Sequence, residues 1–302
     1  MGVFYRARLL CLIVLAVNAF SGYAYAEVSV RDDTGASIKL AQPAQRIISL
    51  TPHITELLFA IGAGNRIVGA VDYSDYPEAA KRIPRIGGYA NLDLEAIVAL
   101  KPDLVIAWES GNSAAHIAKL RQLHVPIYTT QANRIEEVAT TLERLGTLSG
   151  NTDSARKVAT QFRTRLSALK EKYSSRPKVR TFYQIWKDPL MTVGGLQVIS
   201  NLIQLCGGEN VFASLQTMAP QVSVEAVIAA NPNAIIASGM DESRPEWLDD
   251  WKRWPKINAV ARDNLFFIPP DLVQRHTPRI LDGAERLCTA LEVVRMKGKK
   301  ER

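Results

Sequence analysis

The chain has 302 residues, of which 47% are hydrophobic and 22% charged, with a formal net charge of +7. This is an ordinary globular composition that excludes disorder, and the length accommodates two domains. The basic excess accompanies no nucleic-acid-binding motif, so no nucleic-acid partner is expected.

The N-terminus carries Arg6 and Arg8, an apolar run from Leu9 to Ala19, and small residues ending Ala24-Tyr25-Ala26. This pattern reads as a secretory signal over residues 1–26, with cleavage before Glu27. The apolar run is short for a membrane span. Removing it takes two arginines and no acid, leaving a net charge of about +5. Cys11 leaves with the signal, and Cys206 and Cys288 remain. In an oxidising compartment they are expected to pair, tying two helices of the second half together; two buried free thiols are the alternative.

Val28 to Leu40 reads as a leading strand or hairpin turning at Asp33-Thr-Gly-Ala. The first lobe, residues 27–150, then alternates strands and helices. Strands are expected at 46–50, 67–71, 104–108 and 125–129, and helices at 54–61, 113–123 and 135–148. Thr152 to Tyr173 lacks Pro and Gly and places Ala155, Val158, Phe162, Leu166, Leu169 and Tyr173 on one helical face. A single connecting helix of about 30 Å is predicted within residues 151–176. The second lobe, residues 177–302, opens with the strand Val179-Arg-Thr-Phe-Tyr and closes with a helix around Ile280 to Val294. The basic tail Arg295 to Arg302 is expected to be frayed and solvated.

The two halves are related. Leu92 to Trp108, LDLEAIVALKPDLVIAW, aligns without a gap to Val222 to Ser238, VSVEAVIAANPNAIIAS, with Glu95 over Glu225 and Pro102 over Pro232. Each copy reads as a short helix, a proline turn and a buried strand. Lys101 and Asn231 precede the prolines and are pushed out of the helical region, which ends the helix. Two apolar helices, Ile54 to Gly62 and Ile199 to Gly207, also correspond and both end at glycine, the residue that most cheaply takes the left-handed cap. The unalternating strands point to parallel sheets covered on both faces. The fold class is therefore α/β, with two similar parallel-sheet lobes bridged by a single long helix and a ligand cleft between them.

In open parallel sheets ligands bind beyond the carboxyl ends of the strands. The residues there are His53, Tyr73, Tyr89, Trp108 and Tyr128 in the first lobe, and Trp186, Ala219, Ser238 and Asp271 to His276 in the second. Aromatics are concentrated among them, as a large, partly flat ligand requires. Any one of them could instead cap a core. No G-x-S-x-G, H-E-x-x-H or phosphate-binding loop occurs, so an exported hydrolase is disfavoured. His53 and Glu56 lie one helical turn apart, as a cap or a cleft contact rather than an acid–base pair. The four histidines do not cluster, and no metal site is expected. Only His53 and His276 fall at cleft edges, where they could become axial ligands to haem iron. Glu95 and Glu225 each complement a helix dipole, and as equivalent exposed acids they could also dock onto a two-fold partner.

Five segments occur in order: Tyr73-Ser-Asp-Tyr-Pro, Asn91 to Trp108, Cys206-Gly-Gly-Glu-Asn-Val-Phe212, Pro220-Gln-Val-Ser-Val-Glu225 and Pro278-Arg-Ile. On these, from about Arg46 to Leu291, the chain resembles the periplasmic substrate-binding proteins of the cobalamin/ferric-siderophore class of ABC importers. The resemblance implies a monomeric, non-enzymatic periplasmic receptor that holds cobalamin or a related corrinoid between its lobes, with limited hinge motion and no resident cofactor. It implies that Tyr73, Tyr89 and Trp108 contact the corrin, that Asp271 and Arg275 add polar contacts, and that Cys206 and Cys288 form a disulfide. It further implies that Glu95 and Glu225 dock onto arginines of a dimeric ABC permease in the inner membrane. Two departures bear on the ligand. Ala219 stands where the resembled proteins have a cleft tryptophan, and Trp186 occurs nearby where they have a small residue, so either Trp186 keeps the aromatic wall or the ligand is a different corrinoid. His53 and His276 also lie outside the family pattern. Haem or a ferric siderophore on the same fold is the alternative; a siderophore wants several basic residues in the cleft, and only Arg275 is expected there.

Overall fold

The first lobe of the computed structural model is built on four parallel strands; residues 27–88, 91–239 and 243–300 are described, so the signal segment and Tyr89 lie outside the described residues. An antiparallel hairpin of β1 (Val28–Arg31) and β2 (Ser37–Leu40) comes first. It turns on Asp32, whose carboxylate accepts hydrogen bonds from the backbone of Thr34 and Ala36. Then follow β3 (Ile47–Ser49), α1 (Pro52–Ala60), β4 (Ile67–Ala70), the short pair β5 (Gly87–Gly88) and β6 (Asn91–Leu92), α2 (Leu94–Ala99), β7 (Leu104–Trp108), α3 (Ala114–Gln122), β8 (Ile127–Thr130) and α4 (Glu137–Ser149). The sheet order is β4-β3-β7-β8, parallel throughout. Strand β8 begins two residues later than expected, because Pro126 has no N–H to give a ladder.

Helix α5 (Thr152–Tyr173) runs unbroken for 22 residues, about 33 Å. The second lobe follows with β9 (Val179–Trp186), β10 (Met191–Thr192), α6 (Val198–Leu205), β11 (Gly208–Asn210), α7 (Val224–Ala230), β12 (Ala234–Ala237), α8 (Asn258–Ala261), β13 (Leu265–Phe267) and α9 (Ile280–Lys300). Strands β11, β9, β12 and β13 pair in parallel in that order, and β10 joins β9 antiparallel.

In chain order both lobes arrange their parallel strands second, first, third, fourth. The correspondence reaches single backbone angles. Lys101 and Asn231, the residues before the paired prolines, take φ of 45° and 42°. They leave the helical region as expected, but into the left-handed region rather than the extended one. Gly62 and Gly207 close the paired helices at φ of 81° and 69°. The two lobes are structural repeats.

The central strands are buried on both faces, Leu104 to Ala107 and Ala234 to Ala237 being at most 1% exposed. One apolar cluster covers the inner faces of both sheets and runs through α5 by way of Phe162, Leu166 and Leu169; each lobe has a second cluster on its other face. Helix α5 packs tightly on α4, where a Cβ on Gly146 would come within 2.2 Å of Ala155. Each buried Phe or Leu side chain of α5 contributes about 2 kcal/mol to this shared core.

Over its described residues, 295–300, the tail expected to fray is helical. Helix α9 continues to Lys300 because Arg295 is anchored, its guanidinium donating to the carbonyls of Pro177 and Cys206, both at 2.8 Å. Lys297 likewise donates to the carbonyls of Arg262 and Asp263. Cys206, at the C-terminal end of α6, and Cys288, within α9, are joined in a disulfide. Among the described residues no helix is long and apolar enough to cross a membrane.

Candidate functional site

The carboxyl ends of both sheets face one cavity of about 340 Å³. From the first lobe it is lined by Thr51, Pro52 and His53 after β3, Tyr73 after β4, and Trp108 ending β7. From the second lobe come Ile185 of β9, Gln197 and Ile199 at the start of α6, and Pro270, Asp271, Gln274 and Arg275 after β13. Side chains from both halves of the repeat thus converge where parallel strands leave their sheets.

Of the residues expected from the sequence, Tyr73, Trp108, Asp271 and Arg275 are together in this lining. Tyr73 is 77% exposed and takes φ of 62°, a left-handed backbone that is unusual outside glycine and that presents its ring at the cleft mouth. Trp186 is not among the lining residues. Side chains alternate along a strand, so Ile185 entering the cavity turns Trp186 the other way; it is 38% exposed, and its indole N–H donates to the Asp188 carbonyl at 2.9 Å.

His53 and His276 do come together, contrary to the expectation that the histidines are scattered. Their ring centroids are 5.7 Å apart, and Trp108 lies 5.3 Å from His53 and 6.3 Å from His276, all edge-to-face. Thr51 holds the His53 ring, its hydroxyl 3.1 Å from Nδ1. Burial lowers the His53 pKa well below its usual range, with His276 and Arg275 adding repulsion. Burial alone pushes His276 down to about 4. Both imidazoles are therefore neutral near pH 7. Among the described residues no group of three or more His, Cys, Asp or Glu side chains could hold a metal ion.

Glu56 is neither a helix cap nor a cavity contact. Its carboxylate is buried and accepts hydrogen bonds from the second lobe: from Thr277 Oγ1 at 2.6 Å, and from Arg279 Nε and Nη2, both at 2.7 Å. Arg275 pairs with Asp271 at 2.9 Å in its own lobe and with Asp75 at 3.1 Å across the cleft. Gln274, within the loop Asp271 to His276 that was expected at the strand ends, lines the cavity and donates to the Ser238 hydroxyl at 2.7 Å. The only local signal for Thr277 and Arg279 was their position beside and within Pro278-Arg-Ile, to which no role could be given without knowing what they face.

Glu95 and Glu225 sit in the first turns of α2 and α7 and are exposed. Asp93 and Ser223 cap the two helices identically, each side chain accepting from the backbone N–H three residues on. The Glu225 carboxyl is held below the usual range by its own backbone N–H and by the Ser223 hydroxyl. One turn beyond each acid, Val98 and Ile228 are 46% and 38% exposed.

With this geometry described, comparison with known proteins is informative. Residues 47–272 match the periplasmic binding protein family. The vitamin B12-binding protein of Vibrio campbellii is 40% identical over 255 residues, 84% of this chain and 92% of that protein. The crystal structure of the periplasmic vitamin B12-binding protein of Vibrio cholerae matches with a TM-score of 0.78 at 38% identity, covering 84% of this chain and 98% of that one. A periplasmic heme-binding protein from Roseiflexus, 24% identical with a TM-score of 0.70 over 83% of this chain and 99% of its own, is alike in fold alone. The chain belongs to the periplasmic binding protein family.

Proposed function

We propose that this protein is a periplasmic receptor that captures cobalamin or a closely related corrinoid between its lobes and delivers it to a dimeric ABC permease in the inner membrane. The observation that carries the reading is the cleft itself. Tyr73 and Trp108 from one lobe face Asp271 and Arg275 from the other at the strand ends, on a chain 40% identical to a vitamin B12-binding protein. Aromatic faces supply dispersion contact to a flat macrocycle, and the charged pair orients its polar arms. A corrinoid is larger than the cavity and extends over the cleft lip, where Tyr73 is exposed. Trp186 and Tyr89 are assigned to the ligand's periphery, outside the cavity.

The role is binding without turnover, a reading supported by the match to a binding-protein family. Residues 1–26 act as the export signal and are removed, the lobes divide at residues 150 and 177 around the connecting helix, and the mature receptor works as a monomer. Glu95 and Glu225, exposed at equivalent places on the two lobes, match a two-fold partner and engage arginines of the permease. The buried, neutral His53–His276 pair favours haem as the second reading, with an imidazole on the iron. A ferric siderophore is less well served, since Arg275 is the one cationic side chain in the described lining.

Trp108→Ala tests the cleft directly. Equilibrium dialysis against cyanocobalamin should show affinity reduced about ten- to a hundredfold, the loss of one buried aromatic anchor. Unchanged affinity would remove Trp108 from the site.

A further inference from the structure

Glu56 lies on the same helix as His53, yet its carboxylate turns away from the cavity into the seam between the lobes. Its side chain is 3% exposed, and a carboxylate so desolvated persists only where its oxygens are fully engaged. Among the described residues its carboxylate is hydrogen-bonded from the other lobe, by residues 221 and 223 positions away. Thr277 and Arg279 Nε share Oε1, while Arg279 Nη2 takes Oε2. The planar guanidinium thus meets the carboxylate in a two-point geometry that a single point charge cannot reproduce.

The same seam controls Arg275. Its Nη1 lies 3.9 Å from Glu56 Oε2, and its side chain is 13% exposed at the cavity wall. Its Nη2 donates to the Tyr73 carbonyl at 3.4 Å. One turn on, the Arg279 guanidinium lies over the Tyr76 ring at 3.6 Å. Two arginines of the second lobe therefore grip loop 73–76 of the first, and Glu56 is the anion behind both.

We propose that Glu56 is a positioning residue: a strut between the lobes that sets the width of the cleft and aims Arg275 into it. Only the consequence for ligand release rests on the corrinoid reading; the strut itself does not. Replacing Glu56 by glutamine keeps the shape and removes the charge. Arg279 then loses its two-point partner, and Arg275 is left to Asp75 and Asp271 alone. The lobes are expected to separate further and to fluctuate more.

The test uses the full mature chain with spin labels at K119C on the first lobe and K256C on the second, and a pulsed electron resonance distance measurement without added ligand. E56Q should lengthen and broaden the distance distribution by several ångströms. A distribution superimposable on that of the parent would overturn the strut. If E56Q does not fold, T277V, which removes one hydrogen bond and keeps the ion pair, should shift the distribution in the same direction by less, and no shift would overturn the proposal. In stopped-flow experiments with cyanocobalamin, E56Q should dissociate about tenfold faster with association little changed. Equal dissociation rates would overturn the aiming of Arg275. If the parent does not bind cyanocobalamin, the corrinoid reading fails, while the distance measurement still decides the strut.

Discussion

The imidazoles of His53 and His276 come from opposite lobes and lie with ring centroids 5.7 Å apart, edge to face. Burial keeps both neutral, His276 titrating only at about 4. In the unfolded chain a histidine titrates near pH 6.5. Between about pH 6.5 and 4 the unfolded state therefore binds more protons than the fold, and stability falls as pH falls. For His276 alone the loss is on the order of 3 kcal/mol once pH 4 is reached. Urea midpoints should fall between pH 7 and 4.5, and the drop should be smaller in His276→Asn. Identical pH profiles for parent and variant would contradict this assignment.

The disulfide ties Cys206 to Cys288 across 82 positions. Closing a loop of that length restricts the unfolded chain by about 4 kcal/mol on the chain-entropy account. Cys206→Ala with Cys288→Ala should lose stability of that order in urea titrations. Neither cysteine lines the cleft, so ligand affinity should remain within about twofold. An unchanged midpoint would show that the cross-link adds nothing to stability.

The paired acids make a different prediction, because both are exposed and neither lines the cavity. Glu95→Ala with Glu225→Ala should leave ligand binding intact and abolish uptake in a reconstituted permease assay. Each single variant should retain partial uptake. Normal uptake by the double variant would sink the docking assignment.

The fold was legible because its signals are local and repeated. The ungapped match of Glu95 with Glu225 and Pro102 with Pro232 exposed the duplication, and the apolar face of residues 152–173 announced the bridging helix. The cleft was partly legible, since Tyr73, Trp108, Asp271 and Arg275 follow strand ends that hydrophobic runs locate. What escaped is the pairing between distant residues. Nothing in the neighbourhood of Glu56 announces Arg279, and His53 and His276 meet only because two lobes close on one another. Ile185 rather than Trp186 lines the cavity, because along an alternating strand a shift of a single residue moves a side chain to the opposite face. Arg295 was read as tail because two of its acceptors are main-chain carbonyls of distant residues, which leave no trace in composition.

The most direct test of the account is calorimetric titration of the mature protein with cyanocobalamin, with cobinamide and hemin as comparison ligands. The account predicts saturable one-to-one binding of cyanocobalamin that is stronger than binding of hemin. Heat from hemin alone, with a Soret band lost in His53→Ala or His276→Ala, would contradict it and make this a haem receptor.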